Sequence, residues 1–409
     1  MIAKIPKHWK IKTLREIGVF FKGKGVPKDK ITDTGFKCLT YGDLYTKYDF
    51  VIEGVKSFID KETALISQEI KYGDICFAGS GETLEDIGKC ATFIDDKKGY
   101  AGGDIIVFRT EQNPIVMSYL LNSNIAKKQK FSMGQGHSVV HIYSSQLETL
   151  KLPIPPLKEQ EKIAEILLTC DKAIRLTTQI ITQLKQRNQG LAQQLLTGEK
   201  RIKGFENSVW KEVRLGKIGD TYNGLTGKSK EDFGEGKSYI PYLNIFSNHI
   251  VDSATFELVK IDIDDKQNKV IYGDILFTIS SETPDEVGMS SVMLSNIDEL
   301  YLNSFCFGFR LYNFDNLLPQ YACYLFRNKD FRKEIVRLAQ GSTRFNLSKS
   351  EFLKTRVFLP TLTEQNVIAQ ILDTAHQELK LYEQKLQVLQ AQKKTLMQKL
   401  LTGEILTIK

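Results

Sequence analysis

The sequence predicts an α+β fold in which two related, mixed α/β globular segments alternate with two long helices. An internal repeat, a heptad pattern in each half and strand-like apolar runs in the intervening stretches lead to this prediction. The length of 409 residues exceeds one ordinary hydrophobic core and indicates two or three units. We divide the chain into globular segments 1–150 and 203–356 and helical segments 151–202 and 357–409.

The internal repeat is clearest in the helical segments. Residues 155–167 read PPLKEQEKIAEIL and residues 360–372 read PTLTEQNVIAQIL, at an offset of 205. The same offset, without a gap, aligns LLTGE at 195–199 with LLTGE at 400–404. The globular segments share anchors such as YGDICFAGSGETLEDIG (72–88) and YGDILFTISSETPDEVG (272–288), but they diverge strongly between the anchors. The two halves therefore repeat one architecture with different loops.

Each helical segment contains a heptad of apolar residues that is typical of a coiled coil over about five heptads. Prolines precede each helix, at 153, 155 and 156 and at 360, and Gly198 and Gly403 suit helix termination. Because one such helix would not stand alone in water, we expect the two helices to pack on each other and hold the globular segments apart. Each seam has one interior polar residue, Asn188 or Lys393, which fixes the register. The seam residues are Ile163, Leu167, Ile174, Ile181, Leu184, Asn188, Leu191 and Leu195, and Ile368, Leu372, Leu379, Leu386, Leu389, Lys393, Leu396 and Leu400.

The globular segments carry patterns of both strands and helices. DICFAG, CATFID and IIVFR in the first segment have the length and composition of strands. MSYLLNSNIAKKQKF in the first segment and YACYLFRNKDFRKEIVRLA in the second have the spacing of amphipathic helices. Both segments are therefore predicted to be mixed α/β.

The composition narrows the class of protein. The net charge of +7 is mildly basic, so it permits a nucleic-acid partner without requiring one. The six cysteines are scattered and form no C-x-x-C pair, which indicates reduced thiols rather than a zinc site or a disulfide framework. No window approaches 18 consecutive apolar residues and the N-terminus lacks the apolar core of a signal peptide. We expect a cytoplasmic protein with no membrane contact.

Several strings resemble fragments of catalytic motifs, but none is complete. GEGKS (234–238) and TGKSK (226–230) lack the first glycine of a phosphate-binding loop, because Glu231 and Tyr222 stand there. DFGEGK (232–237) has the acids and lysine of a metal nuclease, but it lies in a glycine-rich turn without a counterpart in the first half. His137 and His141 are four apart in a glycine-rich stretch rather than a helix. GETLEDIG and SETPDEVG have no histidine or nucleophile beside them, so we expect them to shape a loop. These observations predict a protein with no catalytic or metal site.

The helical repeats resemble the conserved region of type I restriction specificity subunits. In that family a Pro-Pro-(Leu)-x-Glu-Gln-x-x-Ile-Ala string opens a helix that closes near Leu-Leu-Thr-Gly, and both helical segments match, the second with Pro-Thr in place of Pro-Pro. The globular segments are similar to the family's target recognition domains. They share the opening Trp-Lys, a Gly-Asp-Ile-Leu-Phe-type strand and a loop before the helix, GQGHSVVHI at 134–142 and QGSTRFNLS at 340–348.

The resemblance implies two target recognition domains, separated and joined by two long helices packed as an antiparallel coiled coil with an internal pseudo-two-fold repeat. It implies that each domain reads one half of a bipartite double-stranded DNA target. Two modification (methyltransferase) subunits that use S-adenosylmethionine would dock along the helices, and motor–nuclease restriction subunits would use ATP and Mg. The chain itself would bind no cofactor and catalyse nothing.

Candidate DNA contacts lie in the divergent loops, with lysine and arginine on phosphates and polar side chains on bases. In the first segment they are Lys22, Lys24, Lys28, Lys30, Tyr41, Gln135, His137 and Ser138. In the second they are Lys228, Lys230, Lys237, Tyr242, Asn244, Ser342, Thr343, Arg344 and Asn346. Tyr41 and Tyr242 equally suit the core.

Two alternative functions stay open at this point. The chain could be an interaction scaffold that binds proteins through its coiled coil and reads no DNA. It could also be the specificity subunit of a related type IIB-like system, which cleaves on both sides of its site.

Overall fold

The computed structural model describes residues 5–136 and 139–407, and the chain forms two compact units. The first unit holds the residues up to Thr178 and those from Lys385 onward, and the second holds Gln179–Gln384. Each unit contains one globular segment and parts of both long helices, which confirms the predicted α+β architecture. The segment limits at 150, 202 and 356 stay predictions, since the compact units follow contacts rather than the repeat.

A five-stranded sheet forms the centre of the first unit. In spatial order its strands are Gly18–Lys22, Ile105–Thr110, Ile75–Ala78, Cys90–Phe93 and Val51–Ile52, and only the last pair is parallel. The three strands predicted from sequence are its three middle strands. A four-stranded sheet contains Phe58–Ile59, Phe36–Leu39, Gly99–Ala101 and Gln68–Ile70, and Lys10–Thr13 pairs with Lys151–Ile154. The helices are Leu14–Ile17, Tyr41–Thr46, Lys61–Ile66, Pro114–Leu121, Asn124–Met133 and Ser144–Leu147.

The second unit repeats this arrangement. Its central sheet has the order Gly219–Asn223, Cys306–Leu311, Ile275–Thr278 and Ser290–Val292, all antiparallel. A parallel bridge between Ile250 and Val292 takes the place of the fifth strand. The smaller sheet contains Glu257–Val259, Phe233–Ile240 and Tyr301–Leu302, and Lys211–Arg214 pairs with Arg356–Leu359. The helices are Tyr242–Ser247, Pro319–Leu325, Lys329–Leu338 and Lys349–Lys354.

The amphipathic stretches predicted as single helices are each divided into two. In the first unit the break falls at Asn122 and Ser123, and in the second it falls at Phe326 to Asn328. Asn328 starts the next helix by accepting a hydrogen bond from the Asp330 N–H with its side chain. Short polar side chains favour such N-caps, so a local signal overrides the continuous periodicity.

A buried ion pair explains why the Gly-Asp and Phe-Arg anchors recur in both halves. The Arg109 guanidinium donates to both carboxylate oxygens of Asp74 at 2.7 Å. Arg310 and Asp274 make the same bidentate pair at 2.8 and 2.7 Å. Both carboxylates are almost fully buried, and each pair joins two neighbouring central strands. A buried carboxylate needs such a partner, which ties the two anchors together.

Two 40-residue helices, Leu157–Leu196 and Leu362–Leu401, form the long helices, each about 60 Å in length. Gly198 and Gly403 follow them with φ of 73° and 72°, as expected for helix termination. No helix within the described ranges has a stretch apolar and long enough to cross a membrane. All six cysteines are free.

The Glu-Gln pair of the helical repeat fastens each long helix to its globular segment. Gln160 is fully buried; its amide oxygen accepts from the Asn113 N–H at 2.8 Å, and its amide nitrogen donates to the Pro155 carbonyl at 2.7 Å. Gln365 is also fully buried and does the same with the Leu318 N–H and the Pro360 carbonyl, at 2.9 and 3.0 Å.

The glutamate before each of these glutamines binds side chains that precede the strand Lys10–Thr13 or Lys211–Arg214. Glu159 accepts from the indole N–H of Trp9 at 3.1 Å, whereas Glu364 accepts from Arg201 at 3.1 Å and from the Ser208 hydroxyl at 2.6 Å. The position of the carboxylate is thus shared while its donors differ.

The long helices pack antiparallel within each unit. In the first unit Lys393 pairs with Asp171, and Leu400 shares a core with Leu167. In the second unit Asn188 donates to the Ala375 carbonyl at 2.7 Å, and the core there joins the end of the first helix to the start of the second. All the predicted seam residues are buried or half-buried. The predicted antiparallel packing is therefore confirmed in both units.

Lys393, the interior polar residue of the second helix, belongs to a cluster that connects the first globular segment to the helices. In the first unit the Lys393 ammonium lies 4.4 Å from the Phe50 ring centroid and 5.3 Å from that of Tyr119. The Tyr119 hydroxyl donates to Asp171, which also binds Lys393. This cluster neutralises its buried cation with a carboxylate and two aromatic faces.

The corresponding cluster of the second unit contains two histidines. His249 and Phe50 are equivalent, because their carbonyls accept from the Val292 and Thr92 N–H groups on matching strands. The His249 ring lies 5.2 Å from Tyr324 and 4.3 Å from His376. Within the described residues, the His249 Nε2 and the Tyr324 hydroxyl are buried without a hydrogen-bond partner. Burial, together with the smaller effects of His376 and Arg327, lowers the pKa of His249 to about 3.

We expect acid to destabilise the second unit through His249. Its pKa falls from the ordinary 6.5 to about 3 on folding, so the unfolded chain binds the proton first. The stability that neutral His249 contributes is present above about pH 6.5 and is lost progressively as the pH falls towards 3. Thermal unfolding between pH 7 and pH 5 measures this loss.

The His249→Phe variant installs the residue found at the equivalent place in the first unit, so its melting temperature should fall less between these pH values. His141→Asn is the control, because that ring is only half-buried and contacts the Ser80 hydroxyl at 3.0 Å. An identical pH dependence in wild type and His249→Phe would show that His249 is not responsible.

Candidate nucleic-acid interface

A hairpin lies at one end of the central sheet in each unit. In the first hairpin (residues 135–136 and 139–141), Gln135 and His141 exchange two backbone hydrogen bonds of 2.9 and 2.8 Å, and Val140–His141 pairs with Ser80–Gly81. In the second hairpin (339–347), Phe345–Leu347 pairs with Ala339–Gln340 and with Ser280–Ser281. The two loops singled out in the sequence are therefore the same structural element.

Each hairpin has a glycine with positive φ at the same position. Gly136 has φ of 124°, and a Cβ atom there would lie 2.0 Å from the Val139 carbonyl oxygen. Gly341 has φ of 140°, and its Cβ would lie 2.0 Å from the Arg344 carbonyl oxygen. Only glycine tolerates both the backbone conformation and the close approach. The candidates His137 and Ser138 lie outside the described residues.

The acidic strings GETLEDIG (81–88) and SETPDEVG (281–288) form a turn beside each hairpin. A cation from the helix that precedes the hairpin holds this turn. Lys130 is almost fully buried and donates to the Gly88 carbonyl at 2.6 Å, while burial lowers its pKa to about 8. Arg332 donates to the Gly288 carbonyl at 2.6 Å. The helix before each hairpin is thereby connected to the turn that follows the short strand paired with that hairpin.

The candidate lysines of the first unit are exposed. Lys22 and Lys24 flank Gly23, whose N–H donates to the Ile105 carbonyl at 2.7 Å, and the Gly79 N–H donates to the Asp104 carbonyl at 2.8 Å. These bonds place Lys22 and Lys24 at the sheet end that carries the hairpin. The remaining two candidates, Lys28 and Lys30, lie on an exposed 3-10 turn. Within the described part of the chain none of these four lysines forms an ion pair.

The candidate lysines of the second unit are mostly engaged already. Lys228 pairs with Asp265, and Lys237 pairs with Glu299. Lys230 is exposed on the 3-10 turn Lys230–Asp232. The first unit therefore offers more uncompensated positive charge at these positions than the second.

The candidate tyrosines and Asn244 differ in exposure. Tyr41 is exposed, whereas Tyr242 is half-buried and donates to the Ser280 carbonyl at 2.9 Å, beside the second hairpin. Asn244 is buried; its amide donates to the Asp252 carbonyl at 2.7 Å and accepts from the Asp252 N–H at 3.1 Å. Tyr242 therefore lies beside the second hairpin, whereas Asn244 holds the loop at Asp252 from within.

The second hairpin presents an exposed arginine on an aromatic platform. Ser342, Thr343, Arg344 and Asn346 are all exposed. The Arg344 guanidinium lies 5.4 Å from the ring centroid of Phe305, which is itself about half exposed. Sequence reasoning missed Phe305, because its place in the first unit is taken by Asp104. The register between the strands reveals that Phe305 and Asp104 are equivalent, because their carbonyls accept from the Ile279 and Gly79 N–H groups on matching strands.

Comparison with protein families identifies one that matches this architecture. A family model described as the type I restriction modification DNA specificity domain matches residues 6–186 and 207–391. The chain belongs to this family. Both matched ranges include a hairpin end of the sheet, so the specificity-domain family covers the candidate interface of each unit as well as the helices.

Curated relatives and solved structures agree with this membership. The type I restriction enzyme MjaVIII specificity subunit of Methanocaldococcus jannaschii is 24% identical over 424 residues, covering 98% of this chain and 94% of that protein. The type I restriction enzyme EcoKI specificity subunit of Escherichia coli is 24% identical over 322 residues, covering 75% and 68%. The crystal structure of the S subunit of a type I restriction-modification system from M. genitalium covers 98% of this chain and 97% of its own, with a TM-score of 0.60 and 18% identity, which supports the fold.

We expect Gly341→Ala in this specificity-domain chain to disorder the second hairpin at a cost of about 1–3 kcal/mol, because the new methyl group meets a carbonyl in a conformation that alanine avoids. Hydrogen exchange of the amides of residues 339–347 should become faster, while exchange in the first unit stays unchanged. Gly234→Ala is the matched control, since Gly234 has φ of 110° but no atom within 4 Å of its Cβ position. Wild-type exchange in the Gly341→Ala hairpin would contradict the requirement for glycine.

Proposed function

We propose that the chain is the DNA specificity subunit of a type I restriction–modification complex and reads a bipartite double-stranded target. One observation carries the proposal: two units present the same hairpin on the same sheet end, but with different side chains. Reading two different half-sites requires such a shared scaffold with divergent contact residues. Direct readout also needs a narrow protruding element that enters the major groove, and a two-stranded hairpin has the right width.

Lysines near the hairpins position the backbone of the DNA rather than read its sequence. Lys22 and Lys24 lie at the hairpin end of the first sheet, and Lys28 and Lys30 are exposed nearby in sequence. Phosphate contacts of this kind fix the register on the duplex and give binding its salt dependence. In the second unit, phosphate binding by Lys228 or Lys237 would first have to exchange a carboxylate partner.

The chain supplies recognition, and its partners supply the chemistry. Two modification subunits that carry S-adenosylmethionine dock along the long helices, and motor–nuclease subunits add ATP-driven restriction in the cytoplasm. The chain binds no cofactor and catalyses no step itself. Membership in the specificity-domain family supports this division of labour. A protein scaffold that reads no DNA is disfavoured, because the family match includes both globular segments.

Exchange of one globular segment tests this function. Residues 1–150 are replaced by the corresponding segment of another family member, and the chimera is co-expressed with its modification subunit. Sequencing of methylated sites should reveal a change in only one half of the target, because each unit reads alone. The reciprocal exchange of residues 203–356 is the control and should change the other half. Changes in both halves from a single exchange would refute independent reading.

The length of the long helices is expected to set the gap between the half-sites. A duplication of Leu184–Arg187 lengthens the first helix by about 6 Å and rotates the chain beyond the duplication by about 40°. At about 3.4 Å per base pair, the gap should grow by one or two base pairs while both half-sites stay the same.

A two-residue insertion at the same point is the control, because it turns the chain by about 200° and should abolish recognition. Methylated sites are again the readout. An unchanged gap after the four-residue duplication would mean that the modification subunits, not the helices, fix the spacing.

A further inference from the structure

We propose that Val139 and Arg344 are equivalent specificity positions, each of which reads one base pair of the half-site bound by its own unit. Val139 contacts the methyl group of a thymine, and Arg344 donates a pair of hydrogen bonds to a guanine. This assignment rests on the proposed function and names the residues and the base chemistry through which it operates.

The two positions have the same backbone environment. Each lies three residues after the glycine of its hairpin turn, and its carbonyl oxygen packs 2.0 Å from where that glycine's Cβ would stand. Each hairpin also pairs with the short strand that follows the same central strand, at Ser80–Gly81 and Ser280–Ser281. The matching glycine contact and strand pairing therefore place both side chains at the same point of the fold.

Neither side chain packs into a hydrophobic core. Val139 is 50% exposed and Arg344 is exposed, so neither contributes to a core. Across the described ranges, the Arg344 guanidinium has no carboxylate partner, and it lies over the Phe305 ring. An uncompensated cation and an exposed isopropyl group at equivalent hairpin positions are both available to a ligand.

The exchange of valine for arginine argues for base contact rather than phosphate contact. A valine cannot bind phosphate, so a phosphate role cannot be common to the two positions. Base edges in the major groove differ in a way that matches the two side chains. Thymine presents a methyl group that accepts apolar contact, and guanine presents O6 and N7, which accept two hydrogen bonds from arginine.

Phe305 explains how the second unit presents its arginine. The ring lies under the guanidinium at 5.4 Å, and a cation–π contact restricts the freedom of a long side chain before it binds. The equivalent place in the first unit holds Asp104, whose carboxylate would attract an arginine away from a base. Val139 needs no aromatic platform. Asp104 therefore suits Val139 in the first unit, as Phe305 suits Arg344 in the second.

The test exchanges the two side chains in the full-length chain, co-expressed with its modification subunit. In Arg344→Val, one guanine of the second half-site should lose its preference by about tenfold to a hundredfold, while the first half-site stays unchanged. In Val139→Arg, one A·T position of the first half-site should lose its preference. Phe305→Leu should keep the guanine but weaken discrimination at that position alone.

The controls separate this assignment from general effects. Lys24→Gln should lower modification of all sites uniformly and change no position. Melting temperatures of the variants should equal that of the wild type, because the substituted side chains are exposed. A uniform loss in Arg344→Val would identify a phosphate contact and overturn the assignment, as would unchanged preferences in both variants. A wild-type complex that marks no bipartite sequence would overturn the proposed function itself, and the assignment with it.

Discussion

The attachment of each globular segment to its long helix depends on one buried glutamine. Gln160 and Gln365 each accept from a backbone N–H of the globular segment and donate to the proline carbonyl that precedes their helix. A fully buried amide with several partners has one acceptable orientation, because any other leaves polar groups unsatisfied. The direction in which the helix leaves the sheet is thereby fixed, and the packing of the two helices within each unit builds on this direction.

The repeat is symmetric in backbone and asymmetric in chemistry. The same junction between globular segment and helices uses Lys393, Asp171 and two aromatic rings in the first unit, but two histidines in the second. The glutamates of the helical repeat hold different donors, and the hairpins carry different side chains at the positions of Val139 and Arg344. Selection for one backbone shape thus leaves the polar residues inside it free to differ between the two units, provided that each cluster is neutral at the working pH.

Periodicity and repetition predicted the long helices, their seam, the central strands and the place of the two hairpin loops. They failed where local polar chemistry decides: the helices that are broken at Ser123 and Asn328 look continuous by hydrophobic spacing alone. They also gave no hint that Lys228 and Lys237 pair with acids distant in sequence, or that Asn244 is buried. Phe305 escaped because the two halves differ there. Such tertiary pairings depend on the register between strands, which a single sequence does not encode locally.

Val139 and Arg344 lie outside the hydrophobic cores, so mutation can alter recognition with little loss of stability. Because Val139 and Arg344 contribute no packing, a substitution at either place leaves the marginal stability of the unit almost untouched. New DNA preferences are then reachable through single point mutations in a lineage, without compensating changes elsewhere. The glycines that hold the turns are the opposite case, and they constrain which variants natural selection can ever test.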